Sequence, residues 1–354
     1  MLFTELRVKN VRNISNINIE PCSSINLFTG SNGSGKTALL EAVHVLARAR
    51  SFRTPRIKEV IQRDRELLQV SAEVLNSQEL KLATGIEKTY GQTTIRFDGK
   101  AVKTVSEQAK NIPLVFVTPD SQTLITGSPK DRRHWLDWAM FHVEQEYIFL
   151  WRDYQTALRN RNNLLKHENS DSQLLGWEKV MSECATKLNA FRQDFIETFQ
   201  VFFNQALKNV FPAESRVVLN DGSPPKISLE EYLDGSKEQD RKLGYTRFGP
   251  HKADLGFLNG PDYVSTVFSR GQIKRFVLAL QVSLACSFES INKEMPILLI
   301  DEYSAELDEQ TQTEVLAQFK EYKGQVFLTA VETSKVLNVL EGSKVFHVER
   351  GNVN

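Results

Sequence analysis

The sequence predicts an α/β fold, a head of mixed sheets interrupted by an inserted antiparallel α-helical arm. Three observations predict it. The first third of the chain reads as short strands around one helix. Residues 130–211 contain no proline and a single glycine, Gly176, which favours long helices over turns. The last third returns to alternating strands and helices, so the same layered domain resumes after the interruption.

In chain order, "FTELRV" and "ISNINIE" alternate with period two, as half-buried strands do. "SINLFTG" is a short apolar strand that stops at glycine. "KTALLEAVHVLARAR" follows with Leu39, Ala42, Val43, Leu46 and Ala47 at helical spacing. "ELLQVSAEV", "LKLATGIEK" and "TTIRFDGKAV" are further strands, the last turning at Asp98-Gly99. "IPLVFVTPD" is a buried strand ending at Pro119. "RRHWLDWAMFHVEQEYIFLWRDYQTALRNRNNLLK" is helical. The polar cluster "HENSDS" at 167–172 then predicts a turn. Beyond it Trp177, Met181, Cys184, Leu188, Phe191 and Phe195 form a helical seam near the heptad pattern. Two such helices joined by a short turn fold back antiparallel, and their aromatics are core.

"ADLGFL" is a strand, "GQIKRFVLALQVSLACSF" a helix, "PILLID" a buried strand and "DEQTQTEVLAQFKEY" a helix. "GQVFLTA" and "KVFHVE" close the sheet. The expected divisions are 1–128 for the first part of the head, 129–244 for the arm and 245–354 for the rest of the head.

Apolar residues make up 41% and charged residues 25%, so the chain of 354 residues can bury a core without cross-links. Cys22, Cys184 and Cys286 show no metal-ligand spacing and read as free thiols. No apolar run is long enough to cross a bilayer, and "MLFTELRVKN" lacks the apolar core of a signal peptide. The expectation is a cytoplasmic protein without membrane contact. The formal net charge is zero but unevenly spread: residues 1–60 carry nine Lys/Arg against four Asp/Glu, and residues 241–275 carry seven against two. A neutral protein with basic faces can still meet a polyanion.

"GSNGSGKT", Gly30, Ser31, Asn32, Gly33, Ser34, Gly35, Lys36 and Thr37, fits the phosphate-binding loop. Glycines let successive N–H groups converge on phosphate oxygens, and the following helix adds its positive end. Lys36 supplies a cation to the β- and γ-phosphates and Thr37 a hydroxyl to Mg²⁺. ATP and Mg²⁺ are therefore the expected cofactors. "PILLIDE" is a buried strand finishing in two acids. Asp301 is expected to hold Mg²⁺, and Glu302 to act as general base on the attacking water, which points to hydrolysis. Asp308, in "SAELD", is expected to cap the next helix and to contribute at a subunit contact.

"FSRGQ", Phe268–Gln272, resembles the signature motif of ATP-binding-cassette ATPases, with Arg270 where glycine is common. In those proteins the motif caps the γ-phosphate of nucleotide bound to the other subunit, which implies trans ATP contacts from Ser269, Gly271, Gln272 and Asp308. With all three motifs in order, the chain resembles the RecF family of SMC-like bacterial DNA replication and repair ATPases over nearly its whole length. "LRVKNVRNI", "TGSPKDRRHWLD", "YQTALRNRNNLLK" and "FGPHKADL" carry that resemblance outside the ATPase motifs. It implies a P-loop ABC-type ATPase head and an ATP-driven homodimer that clamps DNA and releases it on slow, DNA-stimulated hydrolysis. It also implies partnership with RecO and RecR in loading recombinase at single-stranded gaps, and a place in the SOS response. One feature departs from the cassette pattern and one position is left to a candidate. Thr329 and Ala330 stand where a histidine is common, and Gln122 is the candidate for the metal-binding glutamine.

The resemblance leaves DNA contact to the arginines, without sequence preference: Arg12, Arg48, Arg50, Arg53 and Arg56 near the loop, and Arg132, Arg133, Arg159 and Arg161 on the arm. Two other readings use the same loop. A transporter-coupled or other SMC-like cassette ATPase would co-purify with a different partner, and a P-loop kinase would phosphorylate a metabolite.

Overall fold

The computed structural model describes residues 1–167, 171–208, 210–211, 214–305, 307–331 and 342–354. The chain forms two compact units. One joins Met1–Ser121 to Leu278–Asn354, and the other is Gln122–Val277.

The first unit holds two six-stranded sheets. An antiparallel sheet places Leu2–Val11 between Ile14–Ile19 and Leu67–Leu75, and continues through Lys81–Thr89, Thr93–Phe97 and Lys100–Ala101. Its strands alternate buried and exposed residues, as one-sided sheets do. Asp98 and Gly99 both adopt positive φ, which gives the tight turn the sequence predicts there. The second sheet runs in the order Asn352–Val353, Lys344–Glu349, Ile25–Thr29, Val326–Ala330, Ile297–Ile300 and Leu114–Val117. All but the first of these are parallel. Ile25–Thr29, Ile297–Ile300 and Val326–Ala330 are buried throughout, which explains their unbroken apolar runs.

The helix Lys36–Arg48 is buried nearly all round. Leu39, Leu40, Val43 and Leu46 share one core with Leu6 and Val8 of the antiparallel sheet and with Phe28, Leu299 and Phe327 of the parallel one. Burying each such side chain contributes about 2 kcal/mol, so this helix is fixed firmly between two sheets. Because the strands are parallel, the segments after Thr29, Ile300 and Ala330 emerge at one sheet edge.

The second unit contains the helices Pro129–Val143, Tyr147–Lys166 and Asp171–Ala206. The expected continuous helix from Arg132 breaks at Glu144, whose backbone is extended. Arg161 bonds Glu178, and Tyr147 bonds Arg192, the converging ladder of an antiparallel pair. Of the predicted seam, Met181, Cys184, Leu188 and Phe195 are buried, whereas Trp177 and Phe191 are half-exposed. The buried stripe includes two charges, Glu178 and Arg192. Arg161 is paired with both Glu178 and Asp240, at 3.0 and 2.8 Å, and Arg192 with Asp137 at 3.0 Å. The turn predicted at 167–172 falls mainly on 168–170, outside the described residues.

The unit boundaries fall at 121/122 and 277/278 rather than at 128/129 and 244/245. The reason is a three-stranded sheet. Ser215–Asn220 pairs with Asp254–Asn259, which pairs with Asp262–Tyr263, and this ties residues past 245 to the helices. The second boundary therefore lies inside the helix Arg270–Asn292.

The Gly249-Pro250-His251 turn is set into this unit. A Cβ on Gly249 would stand 2.2 Å from the Tyr154 hydroxyl, and its φ is +128°. His251 Nε2 donates to the Thr246 carbonyl at 3.1 Å, so Nδ1 accepts from Tyr154 at 2.7 Å. Burial pulls the His251 imidazole down to about 4. In the first unit His44 donates to the Arg50 carbonyl between the rings of Phe52 and Phe116, and burial again lowers it to about 4. Both values lie below the unfolded value near 6.5, so the unfolded chain binds more protons between them. Stability present above pH 6.5 is lost as pH falls towards 4, by up to roughly 3 kcal/mol per ring. The melting temperature is expected to drop over that window, and a flat profile would contradict the neutral, buried state of these rings.

Candidate functional site

The turn Gly30–Gly35 leaves the strand Ile25–Thr29 and enters the helix Lys36–Arg48, the context a phosphate loop requires. Gly30, Gly33 and Gly35 all have positive φ. At Gly30 a Cβ would meet the Val348 carbonyl at 2.2 Å, so only glycine lets the loop pass this close to the neighbouring strand. Neighbours brace the loop from outside: Asn13 donates to the Gly33 and Ser34 carbonyls, and Gly351 N–H to Ser34. The helix has no side-chain cap and no acid in its first turn, which leaves its N–H groups for an anion. Ser34 Oγ is buried without a partner among the described residues. An orphaned donor and a glycine cradle fit a phosphate.

Lys36 is 7% exposed and donates to the Gly30 and Ser31 carbonyls at 2.7 and 2.9 Å. Burial lowers its ammonium below the ordinary lysine value, while Asp301 and Glu302 pull it back up. Thr37 donates to Asp301 Oδ1 at 3.0 Å. A hydroxyl and a carboxylate this close form the oxygen pair that suits a hard cation such as Mg²⁺.

The acids sit where the sheet delivers them. Asp301 N–H bonds the Val117 carbonyl, and the side chain is nearly buried. Glu302 is exposed and has φ +54°, uncommon for a residue with a side chain. Its N–H donates to Thr329 Oγ1 at 2.8 Å, and Thr329 donates to Asp301 Oδ1 at 2.7 Å. The strand of Thr329 lies between the loop strand and the acid strand, and sequence order alone gives no sign of that. Gln122 closes the turn Pro119–Gln122, after the strand that flanks the acids.

Ser269 and Gln272 form a reciprocal cap. Gln272 Oε1 accepts from Ser269 N–H at 2.8 Å, and Ser269 Oγ from Gln272 N–H at 3.4 Å. Both are exposed, and Gly271 is half-exposed. Phe268 stacks on Phe211, which fixes the entry to the helix. Arg275 lies over the Phe211 ring, and Lys274 is buried. Asp308 accepts from Thr311 N–H at 2.8 Å, the expected helix cap, and Glu306 beside it lies outside the described residues.

The arginines divide cleanly. Arg12 pairs with buried Glu41 at 2.7 Å, and Arg48 donates to the Leu114 carbonyl. Arg132 is bidentate on Asp254, Arg133 donates to the Ala253 carbonyl, and Arg161 is fully buried. These five have structural work, because a guanidinium already paired inside the protein is poorly placed for a phosphodiester. Arg50, Arg53, Arg56 and Arg159 are exposed.

Residues 2–354 match the family model described as the RecF/RecN/SMC N-terminal domain. The DNA replication and repair protein RecF of Pseudoalteromonas translucida is 35% identical, covering 100% of this chain and 99% of its own length. That of Stutzerimonas stutzeri is 34% identical, covering 100% and 97%. A solved structure of the recombination mediator protein RecF with ATP, from the RecFOR pathway, matches with a TM-score of 0.84 at 25% identity, covering 100% of this chain and 97% of that one. An Smc head bound to the C-winged helix domain of ScpA shares the fold, with a TM-score of 0.61 at 15% identity and the same coverage. The architecture is thus that of an ABC-type ATPase head with a helical arm.

Proposed function

The chain belongs to the RecF family, within the RecF/RecN/SMC N-terminal domain group, and from that premise we propose that it is an ATP-gated, DNA-binding homodimer of repair and replication. The observation that carries this is the convergence of Lys36, Thr37, Asp301 and Glu302 at one sheet edge, with Thr37 bonded to Asp301. The loop amides and Lys36 grip the triphosphate. Thr37 and Asp301 would hold Mg²⁺; the ion supplies charge neutralisation at the phosphates. Glu302 orients and deprotonates the attacking water. Ser269, Gly271, Gln272 and Asp308 of a second copy close the site over the γ-phosphate. Two copies join only around nucleotide, and slow hydrolysis, stimulated by DNA, separates them.

Arg50, Arg53 and Arg56 are exposed and lie in a stretch, 50–65, that carries six basic and two acidic residues. They are the residues we assign to DNA phosphates, with Arg132 and Arg133 set aside for their internal partners. The solved RecF–ATP structure, described as belonging to the RecFOR pathway, supports RecO and RecR as partners; gapped DNA, recombinase loading and the SOS response complete the proposed setting. The proposal is tested by DNA retention with and without ATP at two salt concentrations. Wild type is expected to hold gapped duplex only with ATP, and less tightly as salt rises. Lys36→Met is expected to lose both nucleotide binding and ATP-dependent retention. ATP-independent retention by both proteins would overturn the proposal.

A further inference from the structure

We propose that Thr329 is the positioning residue of the hydrolytic centre, a single hydroxyl that fixes the metal-side carboxylate and the general base together. The inference rests on the ATPase reading above and goes beyond it in assigning a role that neither the loop nor the acid pair supplies.

A threonine hydroxyl has one hydrogen to give and lone pairs to receive. Here both capacities are used on consecutive residues. The hydrogen goes to Asp301 Oδ1 at 2.7 Å, and a lone pair takes the Glu302 N–H at 2.8 Å. The Thr329 carbonyl accepts the next amide, Tyr303 N–H, at 3.2 Å. Thr329 is fully buried in the strand Val326–Ala330, which is itself flanked on both sides by parallel strands. It is therefore an immobile reference for the turn beside it.

Two consequences follow. Thr37 also donates to Asp301 Oδ1, so two threonines, one at the start of the helix Lys36–Arg48 and one in the strand Val326–Ala330, converge on one oxygen and set the carboxylate's rotation. Glu302 is held at φ +54°, a conformation a residue with a side chain leaves unless something compensates. The bond from its N–H to Thr329 is such compensation. Without it the backbone at 302 can relax, and the direction of the Glu302 side chain changes with it. Thr329 acts through Asp301 and Glu302; it is not itself assigned a contact with nucleotide.

Thr329→Val keeps the shape of the side chain and removes the hydroxyl, and Thr329→Ser keeps the hydroxyl. Steady-state ATP turnover and binding of a fluorescent ATP analogue, with and without Mg²⁺, are measured for both, alone and combined with Glu302→Gln. Thr329→Val is expected to bind nucleotide without Mg²⁺ as wild type does, to lose much of the Mg²⁺-dependent gain in affinity, and to turn over about 10–100-fold more slowly. Thr329→Ser is expected to restore both. In the Glu302→Gln background Thr329→Val is expected to cost less further turnover than in wild type, because only its hold on Asp301 is left to lose. Wild-type turnover and Mg²⁺ response in Thr329→Val overturn the proposal, as does an undiminished additive loss in the double variant. A wild type that binds Mg²⁺–ATP without turnover would instead overturn the ATPase reading, and the Mg²⁺ response would then decide the role of Thr329 by itself.

Discussion

Glu302→Gln is expected to lower ATP turnover by two to four orders of magnitude while leaving ATP affinity nearly unchanged. A thousandfold loss corresponds to about 4 kcal/mol of barrier. The side chain keeps its size and position, and glutamine at 302 still donates its backbone N–H to Thr329, so the fold has no reason to change. What disappears is the carboxylate that accepts a proton from water. A second effect follows from the proposed gating. If hydrolysis separates the two copies, the variant should accumulate as a long-lived dimer with ATP, visible by sedimentation, and should retain gapped DNA longer than wild type. Turnover within a few-fold of wild type would remove Glu302 from the base role and direct attention to another group at the same edge.

Ser269→Arg is expected to abolish ATP-dependent dimerisation, weakening it by about a hundredfold or more, with monomer ATP binding intact. Ser269 lies outside the phosphate loop and its own bonds are to Gln272. Loss of that cap costs about 1 kcal/mol, which the buried length of the helix Arg270–Asn292 can absorb. The length of an arginine, placed where a partner's phosphate should pack against a serine hydroxyl, leaves no room for that approach. Calorimetry with ATP separates the two effects, since a misfolded variant would lose binding as well as assembly.

Much of this site was legible because its signals are local. A glycine loop before a helix and two acids after an apolar run are contiguous in sequence, and their physics does not wait for tertiary structure. The strand Ser215–Asn220 was not legible. It is short, follows a long helix, and its partner Asp254–Asn259 lies far along the chain. This pairing carries the inserted unit past residue 244, to Val277. The burial of Glu178 and Arg192 is hidden in the sequence because charged residues usually face water. Their position on the Leu174–Met181–Leu188–Phe195 stripe was the signal that could have exposed them. Arg132 and Arg161 carry the pattern of a basic surface for the same reason, and only the placement of Asp254, Glu178 and Asp240 shows both held in ion pairs within the protein, Arg161 fully buried and Arg132 half-buried. In the sequence Thr329 stands out only as the position where a histidine is common. Its two hydrogen bonds depend on which strand lies between the loop and the acids, and that is a property of topology.

The central claim is that each site is completed by a second copy, and one mixing measurement tests it most directly. Lys36→Met lacks the grip on phosphate but keeps Ser269; Ser269→Arg keeps the loop but lacks the cap. Each protein alone is expected to show background ATP turnover. Mixed in equal amounts, they should recover turnover and ATP-dependent association, because a mixed dimer contains one intact loop facing one intact cap. No recovery on mixing, or full activity of Ser269→Arg by itself, would contradict the account.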